Sequence, residues 1–305
     1  MLRSTISSWR EYLTPISHKS TFLSTGQITP EEFVLAGDYL VHRFPIWKWN
    51  ESVVDVSVRD FLPAEKQFLV IRKVPCMERA QDMLNVEDER GESDNQGLEE
   101  GEDDMDIIRV ENNKLNMIGK DHQDDIDELM RDMELHDSED EDVNSNVNMD
   151  EQTYAKRRYY DLYITYSTSY RVPKMYMVGF NGDGSPLTPE QMFEDISADY
   201  RAKTATIENL PFYKPSIPSV SIHPCKHANI MKILLEKVRL INHRRRSEQE
   251  EDHEAKNVKQ DTEDWEDLQK DVYDTLRADQ YLVIFLKFIT SVTPTIEHDY
   301  TMEGW

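Results

Sequence analysis

The chain has 305 residues, 38% hydrophobic and 31% charged, which suits one large domain or two smaller ones if part of the chain stays outside the core. A formal charge of −25 argues against a nucleic-acid binder held by phosphate contacts. Two cysteines, Cys76 and Cys225, support neither a disulfide framework nor a four-thiolate zinc site, and they suit the reducing cytosol.

At the start, MLRSTISSWREYLTPIS places Leu2, Ile6, Trp9 and Leu13 on one helical face, with Arg3 and Arg10 on the other and Pro15 as the stop. The pattern fits a helix lying in a membrane interface, and equally a helix docked on the core. It lacks the continuous apolar centre of a signal peptide. GQITPEEFVLAGDYLVHRF predicts a helix with Thr29 as N-cap, Pro30 at its first position and Glu32 at the third. FPIWKWN, SVVDVSV and KQFLVIRKV read as strands. Cys76, beside Pro75, reads as a buried structural thiol.

From Glu87 to Glu151 there are 26 acidic and five basic residues and no aromatic one, so this stretch holds −21 of the −25. Too little apolar surface is present there to offset ordering entropy, and residues 85–151 are expected to be a disordered acidic insertion. Within it, Ile126, Leu129, Met130 and Met133 share one face of a possible helix, which a partner would have to cover; chance periodicity gives the same pattern.

Beyond the insertion, YYDLYITYSTSYRVPKMYMVGFN reads as a hairpin turning near Tyr170 to Pro173, and LTPEQMFEDISADY as a short capped helix. In SVSIHPCKHANIM an extended run becomes a helix whose apolar face is Met231, Leu234, Leu235, Val238 and Ile241. Arg244 to Arg246 precede a polar stretch, Ser247 to Asp264, read as a second insertion. Trp265, Leu268, Val272 and Leu276 then recur at helical spacing, and the apolar run Tyr281 to Ile289 is too short to span a bilayer. There is no internal repeat. Helix, antiparallel meander, then helices is the order of an α+β fold.

Cys225 is the residue on which function turns. At a helix start, unpaired N–H groups and the positive dipole end favour a thiolate, and Lys226 and His227 would add positive potential when charged. His223 projects to the same side as Cys225 if the approach is extended, and is placed to support the backbone or the thiol. A packed thiol, a metal ligand with His223 and His227, and a nucleophile all remain open on the residues alone.

SIHPCKHANIMK, the opening MLRSTISSWREYLTPISHKSTFL, WEDL at 265–268 and the ending SVTPTIEHDYTMEGW together resemble the autophagy-related protein 3 family of the yeast type. The resemblance implies a ubiquitin-conjugating (E2-like) fold, an antiparallel sheet flanked by helices. Its core would be 19–84 and 152–305, with a membrane-binding helix at 1–18, the flexible acidic insertion at 85–151 and a handle-like insertion at 242–270. It implies that Cys225 accepts a ubiquitin-like autophagy modifier, of the light-chain-3/GABARAP type, from an E1-like activating enzyme and passes it to the amine of phosphatidylethanolamine. His223 would support the site.

Ordinary ubiquitin-conjugating enzymes carry His-Pro-Asn some residues before their cysteine. Here Cys225 takes the third place of the tripeptide and the Asn is missing; the hydroxyl of Thr204 is the candidate for meeting the developing oxyanion. Within the resemblance, Trp265, Glu266, Asp267 and Leu268 form an aromatic-x-x-aliphatic modifier-binding motif, although Trp265 could also begin a core helix. Ile126, Leu129, Met130 and Met133 would dock the activating enzyme, and an autophagy conjugate complex would act as E3. No cofactor, metal or nucleic acid is expected. The expected location is cytoplasmic, peripheral to preautophagosomal membranes. The other reading is a non-catalytic adaptor holding modifier and activating enzyme at a membrane.

Overall fold

A computed structural model describes residues 11, 13–50, 56–80, 157–213, 216–254 and 276–298. Leu2, Ile6 and Trp9, the acidic segment with Ile126, Leu129, Met130 and Met133, and the tetrad Trp265 to Leu268 lie outside these residues.

After the short helix α1 (Phe22–Thr25), α2 (Pro30–Arg43) begins at the expected cap. Thr29 Oγ1 accepts the Glu32 N–H at 3.1 Å and Glu32 Oε2 accepts the Thr29 N–H at 2.8 Å, satisfying two of the donors a helix start leaves open. Then come β1 (Lys48–Trp49), β2 (Phe68–Cys76), β3 (Arg158–Ser167) and β4 (Val172–Asn181). The short helices α3 (Pro189–Phe193) and α4 (Ala198–Arg201) lead to β5 (Ala205–Asn209) and β6 (Pro218–Ile222). The long α5 (His227–Glu254) and α6 (Tyr281–Val292) follow. α3 carries a second capping box, from Thr188 and Gln191.

The strands make one six-stranded antiparallel sheet in the order β1-β2-β3-β4-β6-β5, so the fold is α+β. Sheet residues alternate between two apolar clusters. Leu162, Ile164, Met175, Met177, Val220 and Ile222 point to the side covered by α2, α5 and α6, where the main core lies. Phe68, Val70, Tyr163, Tyr176 and Val178 form a smaller cluster on the other face with Leu210 and Phe212. α6 is apolar almost all round and buried, as expected of a core helix. Among the described residues, no helix is long and apolar enough to cross a membrane.

Three readings of the sequence shift. In SVVDVSV the described residues 56–58 form no strand; Val56 makes a single bridge to Tyr213, and the Ser57 N–H donates to the Phe212 carbonyl at 2.9 Å. Val56 packs onto the smaller cluster, while Val58 is exposed. The hairpin turns at Thr168 to Arg171, two residues earlier than expected, because Val172 and Pro173 still pair with Ser167 and Tyr166; Arg171 takes the left-handed conformation at φ 56°. α5 also runs through Arg244 to Arg246 and on to Glu254, so the first part of the polar stretch is helical. Cys76 is buried as expected, and burial, reinforced by the charge of Asp195, pushes its thiol up to about 12 despite the Thr295 hydroxyl and the Arg79 and Arg158 charges.

Candidate active site

β6 ends at Ile222, and the chain passes through His223 into a 3-10 turn, Pro224–Lys226, that leads directly into α5. Pro224 suits this first helical position, where its missing N–H has no intrahelical partner to lose. His223 is extended, its N–H donates to the Thr204 carbonyl at 2.8 Å, and its Nδ1 accepts the Cys225 N–H at 3.2 Å. The imidazole therefore supports the backbone of Cys225, one of the two roles the spacing allowed. Cys225 itself is exposed and not in a disulfide.

Thr204 is buried, and its contact with the site runs through its carbonyl. Its hydroxyl donates to the Tyr200 carbonyl at 2.9 Å. His227 departs from expectation more sharply. It is buried, its Nδ1–H donates to the Pro173 carbonyl at 3.0 Å, and its Nε2 has no hydrogen-bond partner beside the rings of Phe285 and Phe288. Burial lowers its pKa to about 4, with the carbonyl of Pro173 opposing and the charges of His223 and Lys174 assisting. His227 is thus neutral and adds no positive potential, and its ring is inside the fold while Cys225 is outside. Lys226 stands half-buried on the turn beside the thiol.

Two residues of the surroundings carry no signal in the sequence. The Tyr170 and His223 rings meet edge to face with centroids 5.4 Å apart, and Pro173 holds His227; both belong to the β3–β4 turn region, about 50 residues upstream. No linear spacing joins them to Cys225. Leu13, from the expected amphipathic face, is 69% exposed.

A second buried histidine sets up a measurable effect. Thr293 Oγ1 donates to the Ile289 carbonyl and so accepts His298 Nε2–H at 2.7 Å, leaving Nδ1 bare, and burial lowers this pKa also to about 4. Above pH 6.5 both histidines are neutral, folded or unfolded. As pH falls from 6.5 towards 4, only the unfolded chain takes up the protons, so stability is lost through that window, by up to ~3 kcal/mol per histidine. Urea midpoints at pH 7 and pH 5 measure this. His298→Gln should shrink the difference between the two, and an unchanged difference would refute the assignment.

A protein-family profile described as "Autophagocytosis associated protein, active-site domain" matches residues 32–300. The chain is 61% identical to autophagy-related protein 3 of Saccharomyces cerevisiae (strain S288c), 59% to that of Candida glabrata and 58% to that of Vanderwaltozyma polyspora, with all of each chain covered. An active-site domain is what the carrier reading expects and what a non-catalytic adaptor does not need. With an exposed thiol at a fixed strand-to-helix junction inside the matched region, the chain belongs to the autophagy-related protein 3 family, the E2-like enzymes that conjugate a ubiquitin-like autophagy modifier to phosphatidylethanolamine.

Proposed function

We propose that Cys225 is the carrier thiol. Its thiolate attacks the thioester carbonyl that links the modifier's C-terminal glycine to the activating enzyme's cysteine. The old C–S bond breaks, the enzyme's thiolate leaves, and the modifier stays on Cys225 in a nearly isoenergetic exchange. The amine of phosphatidylethanolamine then attacks the same carbonyl. The Cys225 C–S bond breaks, thiolate departs, and the amine gives up a proton to leave an amide. The observation that carries this is the exposed Cys225 on a turn whose backbone is tied back at both Cys225 N–H and His223 N–H. Thr204 is the candidate donor to the oxyanion, for which its hydroxyl would turn from the Tyr200 carbonyl.

The same reading treats the sheet and helices as an E2-like fold made of 19–84 and 152–305, interrupted by the acidic insertion 85–151 and the handle-like insertion 242–270. Leu2, Ile6, Trp9 and Leu13 of the segment 1–18 bind the membrane, and the exposure of Leu13 accords with that role. Trp265 to Leu268 bind a modifier of the light-chain-3/GABARAP type by strand addition, with Trp265 and Leu268 in two apolar pockets. Ile126, Leu129, Met130 and Met133 dock the E1-like enzyme, and an autophagy conjugate complex serves as E3. The protein works in the cytoplasm, at the surface of preautophagosomal membranes.

One reconstitution with modifier, activating enzyme, ATP and liposomes separates these roles. The unsubstituted chain should give a thiol-sensitive adduct and Cys225→Ser a thiol-resistant ester; absence of both removes Cys225 as carrier. Trp9→Asp should load normally and lipidate poorly, and equal lipidation would remove the membrane role. Trp265→Ala with Leu268→Ala should weaken modifier binding by at least about tenfold, the effect of emptying two anchor pockets. Loss of cooperative unfolding in that variant would instead place the tetrad in a core helix.

A further inference from the structure

Glu11 carries a part-buried carboxylate that the roles above leave unused. It lies against the tip of the β3–β4 hairpin, where four donors converge on it. The Ser167 hydroxyl donates to Oε1, as does Ser169 Oγ at 2.9 Å, while Oε2 accepts the Thr168 N–H at 2.8 Å and Thr168 Oγ1 at 2.9 Å. The Thr168 hydroxyl also reaches the Glu11 carbonyl at 2.5 Å, so its one proton is shared. Burial would raise the pKa of this carboxyl, but the three side-chain hydroxyls and the charge of Arg59 more than offset it, and the net direction is down. Arg59 is itself aimed at the hairpin, its Nη1 donating to the Tyr166 carbonyl at 2.9 Å.

The clamped tip touches both sides of Cys225. Tyr170 meets His223, two residues before the thiol, and the Pro173 carbonyl accepts from His227, two residues after it. On its far side the tip is held by Gln27, whose Nε2 donates to the Tyr170 carbonyl at 3.3 Å, and by the Ile28 N–H, which donates to the Arg171 carbonyl at 2.9 Å. The hairpin tip is therefore gripped from two directions by the amino-terminal stretch and leans on the turn that presents the thiol.

We propose that Glu11 is a positioning residue for transfer, clamping the Ser167–Ser169 turn so that Tyr170 and Pro173 hold His223 and His227, and with them the Cys225 turn, in place. This rests on Cys225 as the carrier. A carboxylate is needed because it offers only acceptors to converging donors. The isosteric amide of Gln offers one oxygen and turns N–H groups towards donors, leaving at least one of them unpaired.

The test uses the full chain and Glu11→Gln, with two readouts made without lipid. The first is the rate at which iodoacetamide alkylates Cys225 in the unloaded protein across a pH series. The second is discharge of the Cys225 thioester to ethanolamine in solution. The amide variant should load, alkylate at a rate changed about threefold or more, and discharge about tenfold more slowly. The slowing should persist at saturating ethanolamine, as expected when a reacting group is misplaced rather than a substrate lost. Wild-type rates in both readouts, or a slowing seen only on liposomes, overturn the proposal. If Glu11→Gln fails to fold, Tyr170→Leu, which leaves the carboxylate contacts intact, must reproduce the change; wild-type rates in that variant overturn it. If the unsubstituted chain forms no thioester, the carrier reading falls by itself, and the alkylation rates still decide whether Glu11 sets the Cys225 turn.

Discussion

Asp195→Asn is expected to destabilise the fold by about 3–5 kcal/mol, the effect of taking one partner from a buried charge pair. Asp195 is fully buried. Its Oδ1 accepts Arg79 Nη1 at 2.5 Å, and its Oδ2 accepts Arg158 Nη1 at 2.9 Å and the Tyr160 hydroxyl at 2.5 Å. Both guanidinia are largely buried, so neutralising the carboxylate leaves two cations facing each other with little water to screen them. Arg158 retains the Gln191 carbonyl at 2.7 Å and Glu194 at 2.6 Å, which limits the loss on its side. The amide keeps the shape of the side chain, so the loss reports charge and not a cavity. Urea unfolding at pH 7 measures it, and a change below about 1 kcal/mol would show that the three groups are dispensable. The Cys76 thiol, raised in part by Asp195, should also become easier to ionise in this variant.

Gly26→Ala is expected to be at least as damaging, by a different route. Gly26 ends α1 at φ 72°, and a Cβ there would stand 1.9 Å from the Ala228 carbonyl oxygen and 2.7 Å from the Lys232 nitrogen. Both obstacles are backbone of the first turns of α5, so no side chain can swing aside. Meanwhile the Tyr281 hydroxyl, donating to the Gly26 carbonyl at 2.5 Å, keeps Gly26 from retreating. The helix start that follows Cys225 must move instead. Stability should fall by about 3 kcal/mol or more, from left-handed strain and overpacking together, and, on the carrier role proposed above, loading of Cys225 should fall with it. Gly184→Ala is the control: its φ is 84°, but nothing lies within 4 Å of the added carbon. It should show the conformational strain alone, about 1 kcal/mol. Equal thermal midpoints for the two variants would refute the packing argument.

Features written in local chemistry were legible before the structure. Thr29 with Glu32, and Pro189 after Thr188, announce helix starts because capping is satisfied within four residues. The change from strand to helix around Cys225 was legible for the same reason, and the flanking blocks tied it to a family. What failed depended on contacts distant in sequence. His227 looked like a source of charge beside a thiol, and only the Pro173 carbonyl and the rings of Phe285 and Phe288 make it a neutral core residue. Val56 reads like a strand residue, yet it makes a single bridge to Tyr213 and packs on the cluster around Phe68 and Phe212. Tyr170 and Glu11 acquire meaning only when the hairpin tip is brought to the His223 turn.

The register of β2 and β3 has a consequence for how such a chain can vary. Cys76 pairs with Arg158, so the chain leaves β2 and enters β3 at directly opposed residues of neighbouring strands. The sheet has fixed the gap that any connector must bridge, and for a flexible connector the entropy of bridging it grows only with the logarithm of length. Each doubling adds about 0.6 kcal/mol. A connector without structure of its own would therefore change in length here at little thermodynamic expense to the paired strands.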